Sequence, residues 1–260
     1  MTDQRQRLLR YLRRQAEFGG GRIFLENLSA AEALAAIARF GESPAQPGLR
    51  GGRTERTPLP LASRPPAAGA VSPATAGTLA PMRAAALQCT SCRLHANRTS
   101  VVFGEGSETA RVVVVGEAPG QEEDRTGRPF VGRAGRLLDL LLMSVGFPRE
   151  QVYICNVLKC RPPENRNPLP DEVDECTRHW LHGQIELIAP RVLLAVGKFA
   201  AQVLAASEES VGRLRGRVFS YRGIPLVVTY HPAYLLRSPQ MTRVAWEDLQ
   251  LLRKVLHEHP

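Results

Sequence analysis

Arg111–Gly116 reads RVVVVG, and the turn after it reads Gly116-Glu117-Ala118-Pro119-Gly120. Four β-branched residues in a row, closed by a glycine-rich turn, predict a strand buried on both faces. Three further runs share this character: Val152–Val157 (VYICNV), Arg191–Gly197 (RVLLAVG) and Leu226–Tyr230 (LVVTY). Helical stretches lie between and after them, at Gly132–Val145, Asp171–Ile188, Lys198–Ala206 and Met241–His257. Strands alternating with helices predict a three-layer αβα fold around a central, mainly parallel, four-stranded sheet.

That layout predicts where a site lies. In open parallel sheets, ligands bind beyond the carboxyl ends of the strands. The four strand ends deliver Glu117 in its glycine turn, Asn156, Gly197-Lys198 and His231-Pro232. An acid, a carboxamide and an imidazole are thereby expected on one edge.

The first 78 residues differ in character. Leu8, Leu9, Tyr11 and Leu12 recur at helical spacing among arginines within residues 4–17, and Ala30–Arg39 suggests a second short helix. From Gly41 to Thr78 the chain is rich in Pro, Gly, Ala and Arg, with almost no large apolar residue to offset chain entropy. The expected organisation is a basic, partly disordered extension over 1–78 and a folded domain over 79–260.

The 260 residues carry a formal net charge of +9, which favours polyanionic partners such as nucleic acid or an anionic membrane surface. No run of about 18 apolar residues predicts a spanning helix. The opening MTDQRQRLLRYLRRQ has charges where a secretory signal needs an apolar core, so a cytoplasmic protein is expected. There, thiols stay reduced, and grouped cysteines point to metal or redox chemistry.

Cys89 and Cys92 form a C-x-x-C pair, and Cys160 and Cys176 are separated by fifteen residues. Together they complete a four-thiolate shell suited to an iron–sulfur cluster or to zinc; four unrelated buried thiols are the plainer alternative. Cys155, alternating with Val and Ile, reads as a free buried thiol.

Three segments in order, VVGEAPGQEEDRTGRPFVGRAGRLLD (Val114–Asp139), YICNVLKCRPPENRNPLPDE (Tyr153–Glu172) and YHPAYLLR (Tyr230–Arg237), resemble the family 4, iron–sulfur uracil-DNA glycosylases. The cysteine layout agrees, and the resemblance runs from about Thr78 to the C-terminus. It implies a monofunctional enzyme that flips uracil out of DNA and hydrolyses its glycosidic bond, leaving an abasic site. It implies a 4Fe–4S cluster on Cys89, Cys92, Cys160 and Cys176, with zinc as the alternative metal.

The resemblance also implies residue roles. Phe130 stacks on the base and Asn156 reads its edge, with Gly116 and Ala118 also among the substrate-binding residues. His231 donates a hydrogen bond to uracil O2. Glu117 positions water or offsets positive charge on the sugar. Glu123 crowds uracil C5 against a thymine methyl, and Asn165 supports the pocket or a phosphate. Leu235 reads either as a wedge into the base stack or as part of a helix start that packs its leucines inward, with Arg237, Lys159 and Arg161 expected on the DNA backbone. Better-known uracil glycosylases of a separate family carry a water-activating aspartate where this chain has Ala118, so that route is closed. Two alternatives are a non-catalytic iron–sulfur or zinc nucleic-acid-binding module and a relative that traps DNA covalently through a loop histidine. The loop after Phe130 (Val131-Gly132-Arg133-Ala134-Gly135) has no histidine. A monomer acting on uracil-containing DNA, with no membrane partner, is expected.

Overall fold

The computed structural model describes residues 78–258. The helices expected at 4–17 and 30–39 and the linker expected over 41–77 lie outside these residues.

Six strands form one sheet: β1 (Glu105–Gly106), β2 (Val112–Gly116), β3 (Tyr153–Asn156), β4 (Val192–Val196), β5 (Val218–Tyr221) and β6 (Ile224–Thr229), in the order β1-β3-β2-β4-β6-β5. The four expected strands are its parallel centre, with Val114 opposite Ile154 and Leu194, and Leu194 opposite Val227. The expected count of four is too low: β1 and β5 add antiparallel edges, against β3 and β6 respectively. β1 has two residues, too few for a periodic signal. β5 turns into β6 through Arg222 and Gly223, both at positive φ (51° and 87°), as a two-residue primed hairpin turn requires. An arginine at the first of these positions masks the turn in the sequence.

Nine α-helices accompany the strands among the described residues: α1 (Ala80–Leu87), α2 (Gln121–Thr126), α3 (Arg133–Ser144), α4 (Pro170–Cys176), α5 (His182–Ile188), α6 (Lys198–Ala205), α7 (Val211–Leu214), α8 (Pro232–Arg237) and α9 (Thr242–Glu258). Period-two alternation along the strands divides the core into two slabs. Val113, Val115, Cys155, Leu193, Ala195 and Val228 face the side of α1, α5 and α6. Val112, Val114, Ile154, Leu194, Val196 and Val227 face the side of α3 and α9, meeting Leu138, Leu142, Leu249 and Leu252. The result is a mixed sheet with a parallel centre, covered by helices on both faces, which explains why β2 is buried along its whole length.

The helix expected over Asp171–Ile188 is interrupted. Thr177–Leu181 forms a π-helical turn between α4 and α5. Such turns rotate the facing of the residues beyond them and frequently occur at functional sites. Here the turn lies between Cys176 and the rest of the helix and carries Trp180 onto the void shared by the cysteines.

Candidate active site

The carboxyl ends of β2, β3 and β6 open into a cleft of about 500 Å³, within the usual range for small-molecule sites. Its walls include Glu117, Ala118, Phe130, Asn156, Asn165 and His231. Gly116, expected at the substrate site, does not line the cleft but lies beneath Asn156 and Phe130. A Cβ there would lie 2.4 Å from Asn156 Oδ1 and 2.5 Å from Phe130 Cζ, so only glycine lets these two side chains close over the strand. The ladder continues past the strand ends, with Val157 N–H donating to Gly116 O (2.9 Å) and Leu158 N–H to Glu117 O (3.0 Å). Glu117 and Asn156 are thereby held in fixed register.

Asn156 is 1% exposed, and its Oδ1 has no hydrogen-bond partner. A buried amide oxygen without a partner costs on the order of 1–3 kcal/mol, so its retention facing a cleft points to a ligand.

Phe130 sits at φ 50°, a left-handed conformation that costs a bulky residue of order 1–3 kcal/mol and persists only where its surroundings impose it. Three braces impose it. Val131 and Gly132 N–H groups donate to Glu123 Oε1, both at 2.9 Å, while Gly120 N–H donates to Glu123 Oε2 at 3.1 Å. Arg149 donates to Pro129 O (2.6 Å) and Phe130 O (3.3 Å) and is itself held by Asp139 at 2.9 Å. Gly135 of α3 lies directly beneath, where a Cβ would come 1.8 Å from Phe130 O. Phe130 is thus held as a stiff platform, its ring centroid 5.7 Å from that of His231. Glu123 lines the cleft, but both its oxygens are committed to the backbone; it shapes the Phe130 loop instead of standing free to crowd a base.

His231 caps the N-terminus of α8. Its Nδ1 accepts from Ala233 N–H (3.1 Å), which leaves Nε2 as the protonated nitrogen of the neutral ring. Burial lowers its pKa to about 4; Arg237 adds to the fall and Glu123 opposes it. The ring at neutral pH is uncharged, with one N–H to offer. Gly197, at φ 95°, ends β4 beside it, where a Cβ would fall 2.9 Å from His231 Cβ. The β4 end thus contributes space, and Lys198 points outward, exposed.

Glu117 is partly buried. Burial raises its pKa while the charge of Lys198 works against the rise. Asn165 follows Glu164, both at φ 54°, and its Oδ1 accepts from Arg161 Nε at 2.8 Å. Arg166 forks onto the fully buried Glu172 at 2.6 and 2.8 Å. This fastens the loop Arg161–Asn167 over one side of the cleft.

Cys89, Cys92, Cys160 and Cys176 border one small void with Arg98, Lys159 and Trp180, and Arg98 Nη1 lies 3.3 Å from Cys160 Sγ. Among the described residues, no three His, Cys, Asp or Glu side chains are gathered as a site for one metal ion. Cys155 is fully buried inside β3.

Two expected DNA contacts need correction. Lys159 is 1% exposed, and its Nζ donates to Asn156 O at 2.7 Å, so it faces inward between the cysteines and the cleft. Leu235 is also 1% exposed, packed in the α3–α9 core slab. Tyr234, one residue earlier, is the exposed side chain of that turn; it lines the cleft and stacks on Tyr230 with centroids 5.0 Å apart. Arg237 is exposed at the cleft rim. The braces at Arg149 and Gly135 carry no signal in the sequence. Nor does Asp248, which accepts from Thr229 Oγ1 (2.9 Å) and Arg215 Nε (3.1 Å) and ties α9 to the end of β6, two residues before His231.

The family model described as the uracil DNA glycosylase superfamily matches residues 103–250. A type-4 uracil-DNA glycosylase of Thermotoga maritima is 50% identical over 167 residues, covering 63% of this chain and 86% of that protein. Its counterpart in Archaeoglobus fulgidus is 44% identical over 163 residues, 60% of this chain and 81% of that protein. A DNA polymerase of Bacillus phage SP01 is 32% identical over 154 residues, only 16% of its own length. With the cleft, the strand-end residues and the sequence match in agreement, the chain belongs to the uracil-DNA glycosylase superfamily, in its type-4 branch.

Proposed function

We propose that this protein removes uracil from DNA by hydrolysing the N-glycosidic bond, leaving an abasic site for base-excision repair. The observation that carries the reading is the buried, unpartnered amide oxygen of Asn156, facing a cleft that also holds a neutral His231 and a braced Phe130.

The flipped base stacks on Phe130. Asn156 accepts from uracil N3–H and donates to O4, a pattern cytosine does not match. As the bond from N1 to the sugar C1′ breaks, its electron pair passes to the base, and charge gathers on O2. His231 Nε2–H donates to that oxygen. A neutral donor lowers the anion's energy without a proton having first to be gained. Water adds to C1′, and Glu117 orients it and takes its proton, a role suited to a carboxylate whose basicity is raised by burial. The proton then goes to the uracil anion, so the products are uracil and the abasic hemiacetal. No lysine lines the cleft among the described residues, so no amine is placed on its wall to attack C1′, in keeping with a monofunctional glycosylase.

Tyr234, rather than Leu235, fills the gap left by the flipped base, and Arg237 and Arg161 hold adjacent phosphates. Cys89, Cys92, Cys160 and Cys176 would hold a 4Fe–4S cluster. Their fit rests on four thiols about one void with a guanidinium at 3.3 Å from one sulfur; burial raises the pKa of Cys160, and that of Cys176 to about 12, so holding these as thiolates calls for a cationic centre. Such a cluster would cross-link the chain segments that carry Cys89 and Cys92, Cys160, and Cys176. No helix among the described residues is long and apolar enough to cross a membrane. The enzyme acts as a cytoplasmic monomer on nucleoid DNA.

The test is uracil release from a labelled single-stranded oligonucleotide by anaerobically purified protein, with its visible absorbance recorded. Release with a broad band near ~400 nm, the mark of a thiolate-ligated cluster, is expected. No release from single- or double-stranded substrate refutes the assignment, and a colourless, zinc-containing active protein refutes the cluster alone.

A further inference from the structure

Lys159 is a side chain the reaction does not use, yet it ends in an amine, has a long stem and is 1% exposed. Placing an ammonium in a core costs several kcal/mol unless counter-charges and hydrogen bonds surround it. Its partners lie on two sides. Nζ donates to the backbone oxygen of Asn156 at 2.7 Å. On the other side it borders the cysteine void; burial pushes its pKa down, and Cys155, Cys176 and Cys160 oppose that fall. Its main chain is fixed as well, by its N–H directed at Cys176 Sγ and its carbonyl accepting from Val102 N–H at 2.8 Å. One residue therefore lies against the thiol set and also holds the backbone of the residue whose side-chain amide faces the cleft.

We propose that Lys159 is a positioning residue that couples the cysteine site to Asn156, its ammonium held by the thiolates and in turn holding the carbonyl of the base-reading residue. The inference rests on the uracil-pocket and cluster readings above. The side chain of Asn156 has no partner of its own at Oδ1. Its aim therefore depends on how its backbone is held, and beside the strand ladder Lys159 donates a side-chain hydrogen bond to that backbone. The cluster thereby influences base recognition without touching the base.

The experiment compares the full-length holoenzyme with Lys159→Met and Lys159→Gln at matched iron content. KM and kcat are measured on uracil-DNA, together with the affinity for free uracil and the reduction potential of the cluster. Lys159→Met removes charge and hydrogen bond together. It is expected to raise KM and weaken free-uracil binding by about tenfold or more, with a smaller change in kcat and a more negative potential. Lys159→Gln keeps a donor but no charge, so the potential falls as in the Met variant while KM stays nearer the wild type.

An unchanged KM in Lys159→Met overturns the coupling, whatever the potential does. Should neither variant fold, the unaltered holoenzyme still decides. Coupling through one side chain is reciprocal, so saturating free uracil shifts the cluster's potential, and an unmoved potential overturns the proposal. A wild-type protein that lacks iron or releases no uracil is a separate failure, of the underlying reading.

Discussion

Replacing His231 with alanine tests the chemistry most directly. Its Nδ1 is occupied by Ala233 N–H, so the ring has a single hydrogen, on Nε2, to give to the departing base. The expected loss is that of one oxyanion donor, roughly 2.7–4 kcal/mol or 10²–10³ in rate. Because the pKa is lowered to about 4, the ring is uncharged throughout the neutral range, and the wild-type rate should show no His231-dependent step between about pH 5.5 and 8. The assay is single-turnover uracil release from a saturated single-stranded oligonucleotide across that range. Two results refute the reasoning. One is a loss below tenfold in His231→Ala. The other is a wild-type rate that climbs as pH falls through about 6.5, with the climb abolished in the variant, which would mean an imidazolium is the working form. A linked stability effect runs alongside. Below about 6.5 the unfolded chain binds a proton that the folded ring refuses until about pH 4, so wild-type stability falls as pH drops through that window. The size of the loss is about 3 kcal/mol at its acid end, and chemical denaturation of His231→Ala at about pH 4.5 and 7.5 should show a smaller difference than in the wild type.

Asn156→Ala should lower uracil excision by about tenfold to a hundredfold while leaving Tm unchanged or raised, because it removes a buried oxygen that has no partner in the free protein; a marked fall in Tm would mean the amide has a structural role. Gly135→Ala forces a Cβ to within 1.8 Å of Phe130 O and should cost about 1–3 kcal/mol together with uracil affinity, read by denaturation and KM. Tyr234→Ala should slow excision from duplex DNA more than from single strands, since only the duplex leaves a stacked gap to fill; equal loss on both substrates would count against a wedge. Cys176→Ser should reduce iron content and bleach the visible absorbance, and an unchanged spectrum would remove Cys176 from the ligand set.

The local sequence carried the scaffold. Runs such as VVVV at Val112–Val115 have a β-branched pattern that only a doubly covered strand satisfies, and residues next to such runs necessarily stand at the strand ends. Hence Glu117, Asn156 and His231 are legible as a group from the sequence, and the resemblance supplies their company in Phe130 and Asn165. Loop side chains are not legible in the same way, because their direction is set by partners distant in the chain. Lys159 reads as a surface cation until the cysteines and the Asn156 carbonyl surround it. Leu235 and Tyr234 are adjacent, and a six-residue helix packed on α3 decides that the leucine goes inward and the tyrosine outward. Glu123 reads as a free acid near a glycine turn, yet three backbone amides, two of them eight and nine residues away, use up its oxygens. Sequence alone determined which chemical groups reach the sheet's carboxyl edge, because strand periodicity is local. Tertiary structure decided which of them face the cleft, because burial and hydrogen-bond demand are satisfied only across the whole fold.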